Sequence, residues 1–267
     1  MNDLRMLDSF NWGYDPFHYS APEGSYAVQS DGVSRVKEYR QMVQKLHQLG
    51  FRVVQDVVYN HTSEGDETGP VYSFRGYDRS VYYILSEDKK YYMNYSGCGN
   101  TLNGTHSVVR RMIIDSLHFW VEKMHIDGFR FDLASILSRD ESGKPMISPP
   151  TLWSIDTDPT LSSVKLIAEA WDAGGLYQVG SLAGKRWREW NGQFRDDVRR
   201  FIKGDEGMIS KFVSRLIGSP DMGVVGNGSS QYDLNWFVDR GESVLQSAWF
   251  ISLPLWAIFF IYNVILP

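Results

Sequence analysis

Apolar positions recur along the chain with two periods. Val36, Tyr39, Val43, Leu46 and Leu49 are spaced for one face of a helix over 34–49, and Gly50 is placed to stop it. A second amphipathic pattern predicts a helix over 108–124. Between them, "FRVVQDVVYN" at 51–60 is a β-branched run and predicts a strand. "GFRFDL" at 128–133 and "VKLIAEAW" at 164–171 predict two more, both of the buried kind. A short fourth strand is expected at 192–194, followed by a helix through "RDDVRRFIKGD", with shorter helices at 152–157 and 208–216. Residues 1–30 lack helical periodicity and read as a long loop. Residues 62–103 read as a loop carrying short elements.

Strands alternating with helices imply parallel βα units, hence an α/β fold. Such units build a doubly wound sheet or a (β/α)8 barrel. No G-x-G-x-x-G follows a strand, and no G-x-x-x-x-G-K-[ST] occurs, so the glycine-rich phosphate loops of the doubly wound sheets are missing. A barrel gathers its chemistry at the carboxyl ends of its strands. Here Asn60 and His61 end the first strand, Asp132 the second and Glu169 the third. The expectation is a partial (β/α)8 TIM barrel of about four of the eight units.

The strand at 128–133 poses a problem. Alternation puts Phe129, Phe131 and Leu133 on one face and Arg130 with Asp132 on the other. A charge removed from water is costly unless paired, so a purely structural ion pair is one reading. The other acids favour a chemical one. Asp56 lies between valines in "VVQDVV", and Glu169 ends the following strand. Two carboxyls facing a cleft are what glycoside hydrolysis requires: one attacks the anomeric carbon, the other protonates the leaving oxygen and then activates water. The acid needs apolar surroundings, and Glu169 lies between Ala168 and Ala170 beside Trp171. The nucleophile must stay ionised, and Asp132 has Arg130 two residues away; a guanidinium lowers a carboxylate pKa. Asp56 reads as an anchor behind this pair or as a sugar contact.

"DVVYNH" at 56–61, "GFRFDLAS" at 128–135 and "IAEAWD" at 167–172 resemble three of the four short conserved regions of the α-amylase family of glycoside hydrolases, family 13. The stretch from about residue 62 to 220 resembles the isoamylase-type debranching group within it. "FNWGYDPFHYSAPEGSYA" at 10–27 is more similar to pullulanases. The resemblance implies a (β/α)8 barrel and retaining hydrolysis of α-1,6 branch linkages in glycogen- or starch-type glucans. It implies Asp132 as nucleophile, Glu169 as general acid/base, Arg130 orienting Asp132, and Asn60 supporting the site. It also implies sugar contacts from Tyr14 and His61, and Arg130 and Trp171, the latter beside the acid, are expected to bind substrate as well. The fourth region should supply a histidine and then an aspartate; no histidine follows His125, and Asp239 lacks that context. Weak or absent activity is therefore expected of this chain, with a non-catalytic glucan-binding or regulatory fragment as the alternative.

The chain has 267 residues and a net charge of −5, without a basic run, which argues against a nucleic-acid partner. Aromatics make up 14%, which suits stacking on sugars as well as a large core. A single cysteine, Cys98, excludes an internal disulfide and favours an intracellular location, cytoplasmic, or plastidial in a plant. No His/Cys/Asp cluster has zinc spacing and no Asp-rich loop indicates calcium, which some family members bind; no cofactor is expected. His106, His118 and His125 read as helix or loop residues without partners. "RWREW" at 186–190 reads as a carbohydrate-facing patch or as surface packing. Residues 1–220 are expected to be the partial catalytic domain, and 221–267 a non-matching linker and apolar tail. Residues 243–267 carry no charge and meet the length rule for a membrane span, but appended non-homologous sequence is the favoured reading.

Overall fold

The computed structural model describes residues 2–3, 12–184 and 186–219. These form two compact units, one holding the residues up to Gln178 with Leu182–Trp190, the other Val179–Ser181 and the residues from Asn191. The expected boundary at 220 and the apolar tail lie outside the described residues. Among the described residues no helix is long and apolar enough to cross a membrane.

In the first unit, β1 (Asn2–Asp3) pairs antiparallel with β2 (Pro16–His18). The region expected as one loop thus holds a small ribbon, and also a 3-10 turn at Gly24–Tyr26. Helix α1 (Ser34–Gln48) follows the predicted span, but of its apolar stripe only Val43 is buried, and Leu49 is exposed beyond its end. Next come β3 (Val54–Val57), the single turn α2 (Arg79–Tyr82), α3 (Ser107–Glu122) and β4 (Gly128–Phe131). They are followed by α4 (Pro150–Thr157), β5 (Lys165–Glu169) and β6 (Trp187–Trp190). The four strands β3-β4-β5-β6 form one sheet, every pair parallel and in chain order. Four consecutive parallel strands, with helices between β3 and β4 and between β4 and β5, match part of a (β/α)8 barrel.

Three expectations need correction. The fourth strand is Trp187–Trp190, and Gly192 to Phe194 form the first turn of a helix. Asn191 decides this, since its side chain accepts the Phe194 N–H at 2.9 Å and caps the helix. Leu133 leaves the strand in a left-handed conformation, φ 41°, which ends the side-chain alternation after Phe131. Two of the histidines do have partners: His118 Nε2 lies 2.9 Å from Asp158 Oδ1, and the His106 side chain accepts the Val108 N–H at 3.3 Å.

The core lies between α3 and the sheet. Val109, Ile113, Leu117 and Trp120 form the buried stripe of α3. Phe129 and Phe131 are buried on β4, and Phe131 packs on Trp187 with ring centroids 4.9 Å apart. Tyr19 ties the N-terminal segment to α3: its carbonyl accepts from Trp120 Nε1 at 2.9 Å and Ser116 Oγ at 3.1 Å. Gly128 has no room for a side chain, because a Cβ there would lie 2.7 Å from Lys165 Cβ and 2.9 Å from its carbonyl oxygen.

The second unit is a helix pair, α5 (Gly192–Lys203) and α6 (Ile209–Leu216). Gly204 closes α5 at φ 87°, and Arg215 pairs with Asp197 at 3.0 Å.

Candidate active site

The parallel register sets Asp56 beside Arg130 and Glu169 beside Trp190. Phe129 and Phe131 face the core, so Arg130 projects from the opposite face, where three carboxylates meet it. Its Nη1 lies 3.0 Å from Asp56 Oδ1 and 3.0 Å from Asp132 Oδ1, and its Nη2 lies 3.0 Å from Glu169 Oε2. The Arg130 side chain is only 8% exposed, so its charge depends on these partners. Burial opposes that charge, but Asp56, Glu169 and Asp132 outweigh it and hold the guanidinium above its ordinary pKa.

Each acid has a further hold. Asn60 Nδ2 donates to the Asp132 carbonyl and to Asp132 Oδ2, both at 2.9 Å. The Asp132 N–H reaches back to the Val57 carbonyl at 2.9 Å, continuing the strand ladder past β4. The unusual backbone of Leu133 turns its N–H onto Glu169 Oε2 at 3.0 Å. Tyr14 Oη donates to Asp56 Oδ2 at 2.6 Å; burial first, then this bond, pushes the phenol above its ordinary pKa.

Glu169 is raised above the usual carboxylate range. Burial is the main cause and neighbouring Asp132 adds to it, while Arg130 and the Leu133 N–H oppose it. Its flanking residues Ala168 and Ala170 are fully buried. His61 is 2% exposed and touches the Asn60 side chain through Nδ1, while its Nε2 makes no hydrogen bond to the described residues. Burial lowers the His61 pKa, partly offset by Asp132 and Asp15, so the ring is neutral near pH 7.

One constellation thus joins Tyr14, Asp56, Asn60, Arg130, Asp132 and Glu169, with His61 at its edge. Trp171 is engaged with Tyr177 instead, the rings stacked at 5.9 Å and 8°. A cavity of about 230 Å³ opens beside the cluster, lined by Trp12, Tyr14, Glu23, Tyr26 and Asp56 among others. A larger hollow of about 710 Å³ runs along α1 by Lys37, Arg40, Gln44 and His125. It is lined mostly by long polar side chains and holds no carboxylate, whereas the smaller cavity is lined by Tyr14 and Asp56 of the cluster.

Three features escape sequence reasoning. Trp190 stacks over the Arg130 guanidinium, its ring centroid 4.3 Å from Cζ. The alternation in "WREW" could have revealed a strand there; its register against β5 could not be read. Glu64, 2% exposed, gathers the N–H groups of Tyr72, Ser73 and Arg75 at 2.8–3.1 Å and fixes the loop after β3. Arg139 pairs with Asp172 at 2.7 Å and lies 3.9 Å from the Tyr95 ring centroid, tying together the loops after β4 and β5. Among the described residues no group of three or more His, Cys, Asp or Glu side chains is arranged to hold a metal ion.

No family model matches the chain. It is 50% identical over 231 residues to Isoamylase 3, chloroplastic, of Oryza sativa subsp. japonica, covering 85% of this chain and 30% of the relative. It is 44% identical over 227 residues to the glycogen operon protein GlgX homolog of Mycobacterium tuberculosis, covering 83% of this chain and 31% of the relative. The chain therefore spans about three-tenths of the length of the curated relatives it matches. Among solved structures it is similar to the pullulanase from Bacillus acidopullulyticus, with a TM-score of 0.66 and 28% identity over 82% of this chain and 28% of that one. It is also similar to the Anoxybacillus sp. LM18-11 pullulanase complexed with maltotetraose, with a TM-score of 0.64 and 30% identity over 80% of this chain and 32% of that one.

Proposed function

Because the chain belongs to the α-amylase family of glycoside hydrolases, as a relative of its isoamylases and pullulanases, we propose that it is part of a retaining α-1,6-glucosidase acting on branched glycogen- or starch-type glucans. The observation that carries this reading is the sharing of one buried guanidinium by Asp132 and Glu169. A shared guanidinium makes the two carboxyls neighbours, which supports a retaining mechanism, in which nucleophile and acid lie about 5–5.5 Å apart.

In the first step a carboxylate oxygen of Asp132 attacks the anomeric carbon as the bond to the leaving oxygen breaks, and Glu169 delivers its proton to that oxygen. Arg130 and Asn60 hold the Asp132 carboxylate in place while it reacts. Formation of the glycosyl ester removes the negative charge of Asp132. That charge is one of the causes raising Glu169, so its loss readies Glu169 to take a proton from water in the second step. Water then attacks the anomeric carbon and releases Asp132. Tyr14 supplies a ring beside the reacting sugar and His61 a neutral hydrogen-bonding edge. Asp56 anchors Arg130, and Trp171 flanks the acid. The reaction needs no cofactor.

Residues 1–220 make up the catalytic part in this reading, and 221–267 an unrelated linker and tail. A nucleic-acid partner does not fit the acidic charge, and an intracellular place, cytoplasmic or plastidial, fits the lone cysteine and the chloroplastic relative. A non-catalytic glucan-binding role is the second reading, supported by the exposed aromatic rings of Trp12 and Tyr26 that line the cavity with Tyr14. Reducing ends released from amylopectin and pullulan, measured beside glucan affinity electrophoresis, separate the two. The enzyme reading expects weak hydrolysis that Asp132→Asn or Glu169→Gln abolishes while glucan retardation persists. Hydrolysis indifferent to both substitutions would overturn the assigned roles. Retardation lost with Tyr14→Ala, without hydrolysis by the unaltered chain, would favour the binder.

A further inference from the structure

The guanidinium of Arg130 carries the geometry of the site, yet its own backing is incomplete. Nη1 and Nη2 are taken up by carboxylates, whereas Nε is buried and has no hydrogen-bond partner among the described residues. Hydrogen bonds at one edge leave the plane of a guanidinium free to tilt about that edge. The indole of Trp190 covers its face, centroid 4.3 Å from Cζ. The Tyr14 ring is farther, at 5.9 Å, and its hydroxyl is committed to Asp56. Trp190 sits at the carboxyl end of β6, in register with Glu169, so the ladder itself delivers the ring to this position. It is 49% exposed, which is high for a large apolar side chain that serves only the core.

We propose that Trp190 is a positioning residue: its indole face clamps the Arg130 guanidinium flat, and so keeps Asp132 and Glu169 aimed at a common point. A cation held over an aromatic face is attracted by the ring's electron density, more strongly where water is excluded. The face matters here, and the volume of the side chain does not. The inference deepens the reading of Asp132 and Glu169 as the reacting pair and rests on that reading for its purpose, though its geometry stands without it.

Hydrogen exchange at Arg130 Nε–H tests it in the full chain with 15N-labelled arginine, the signal assigned from its loss in Arg130→Lys. Trp190→Phe keeps an aromatic face and should leave the exchange rate near that of the unaltered chain. Trp190→Leu removes it and should speed exchange by about tenfold, the scale of a half-exposed cation–π contact. Trp190→Tyr and Trp190→Met form a second aromatic and aliphatic pair if either first variant fails to fold. Equal rates in the aromatic and aliphatic variants, whether both slow or both fast, would overturn the proposal, since packing alone would treat the pair alike. Where turnover is measurable, Trp190→Leu should lower kcat with little change in KM, and Trp190→Phe should restore it. Hydrolysis indifferent to Asp132→Asn would sink the reading of the reacting pair, while the exchange rates would still decide what Trp190 does.

Discussion

Arg130 carries one positive charge against the carboxylates of Asp56, Asp132 and Glu169, so the cluster keeps a negative excess that the fold has to tolerate. Asp56, with 41% of its side chain exposed, gives part of that excess to water, whereas Asp132 and Glu169 at 15% and 14% cannot. Replacing Arg130 with Met leaves these two buried acids without their cation. The expected loss is about 3–5 kcal/mol of stability at pH 7, the usual scale for breaking a buried ion pair from one side. The pH dependence gives a sharper check. A carboxyl raised in the folded state binds more protons there than in the unfolded chain, so stability falls as pH rises through the raised value. Glu169 is already raised, and removal of Arg130 takes away a cause that lowers it. The deficit of Arg130→Met, measured by urea unfolding, should therefore shrink as pH falls from 7 toward 4.5. A deficit independent of pH would mean that Arg130 acts through packing alone. These residues were legible because charges inside apolar runs stand out. Their sharing was not: the sequence shows Arg130 beside Asp132, but only strand register brings Asp56 and Glu169 to the same guanidinium.

Strand register rests on close backbone approach, and at Gly128 that approach leaves no room for a side chain. A methyl group there meets the Lys165 Cβ and carbonyl at 2.7 and 2.9 Å, and the carbonyl is backbone that cannot swing aside. Gly128→Ala should cost on the order of 1–3 kcal/mol by overpacking. Because the strain falls between β4 and β5, it should also speed amide exchange on both strands. Confinement of the change to residue 128 would show that the strands part without cost. The helices that pack on this sheet were readable from period, and α3 follows its prediction within two residues at either end. The fourth strand was misplaced because Gly192 to Phe194 were read as a strand, whereas the Asn191 side chain caps a helix that begins there. Asn191→Ala tests that correction. It should cost about 1 kcal/mol and raise amide exchange at Phe194, whose N–H the side chain accepts. Unchanged exchange there would return the segment to the strand reading.

At the scale of the molecule, the alternation of strands and helices made the α/β class and the parallel sheet readable, because each βα unit carries its own periodicity. The ends of that sheet were less so. Among the described residues, β3 and β6 each have a strand on one side only. A parallel sheet is ordinarily covered on both faces and, in a barrel, closed at both edges. Val54, at the start of β3, is 44% exposed, and Phe51 just before it is 61% exposed. Exposed apolar side chains at the edge of a sheet invite pairing with another chain. The uncharged run at 243–267 is a second source of association by its apolar composition. The two can be told apart while the tail is kept constant. Sedimentation velocity over a concentration series should show reversible self-association of the full chain. Val54→Lys, which adds a charge at the edge without touching the Arg130 cluster, should shift it toward monomer. An unchanged distribution in Val54→Lys would assign the association to the apolar run and leave the β3 edge without a role in it.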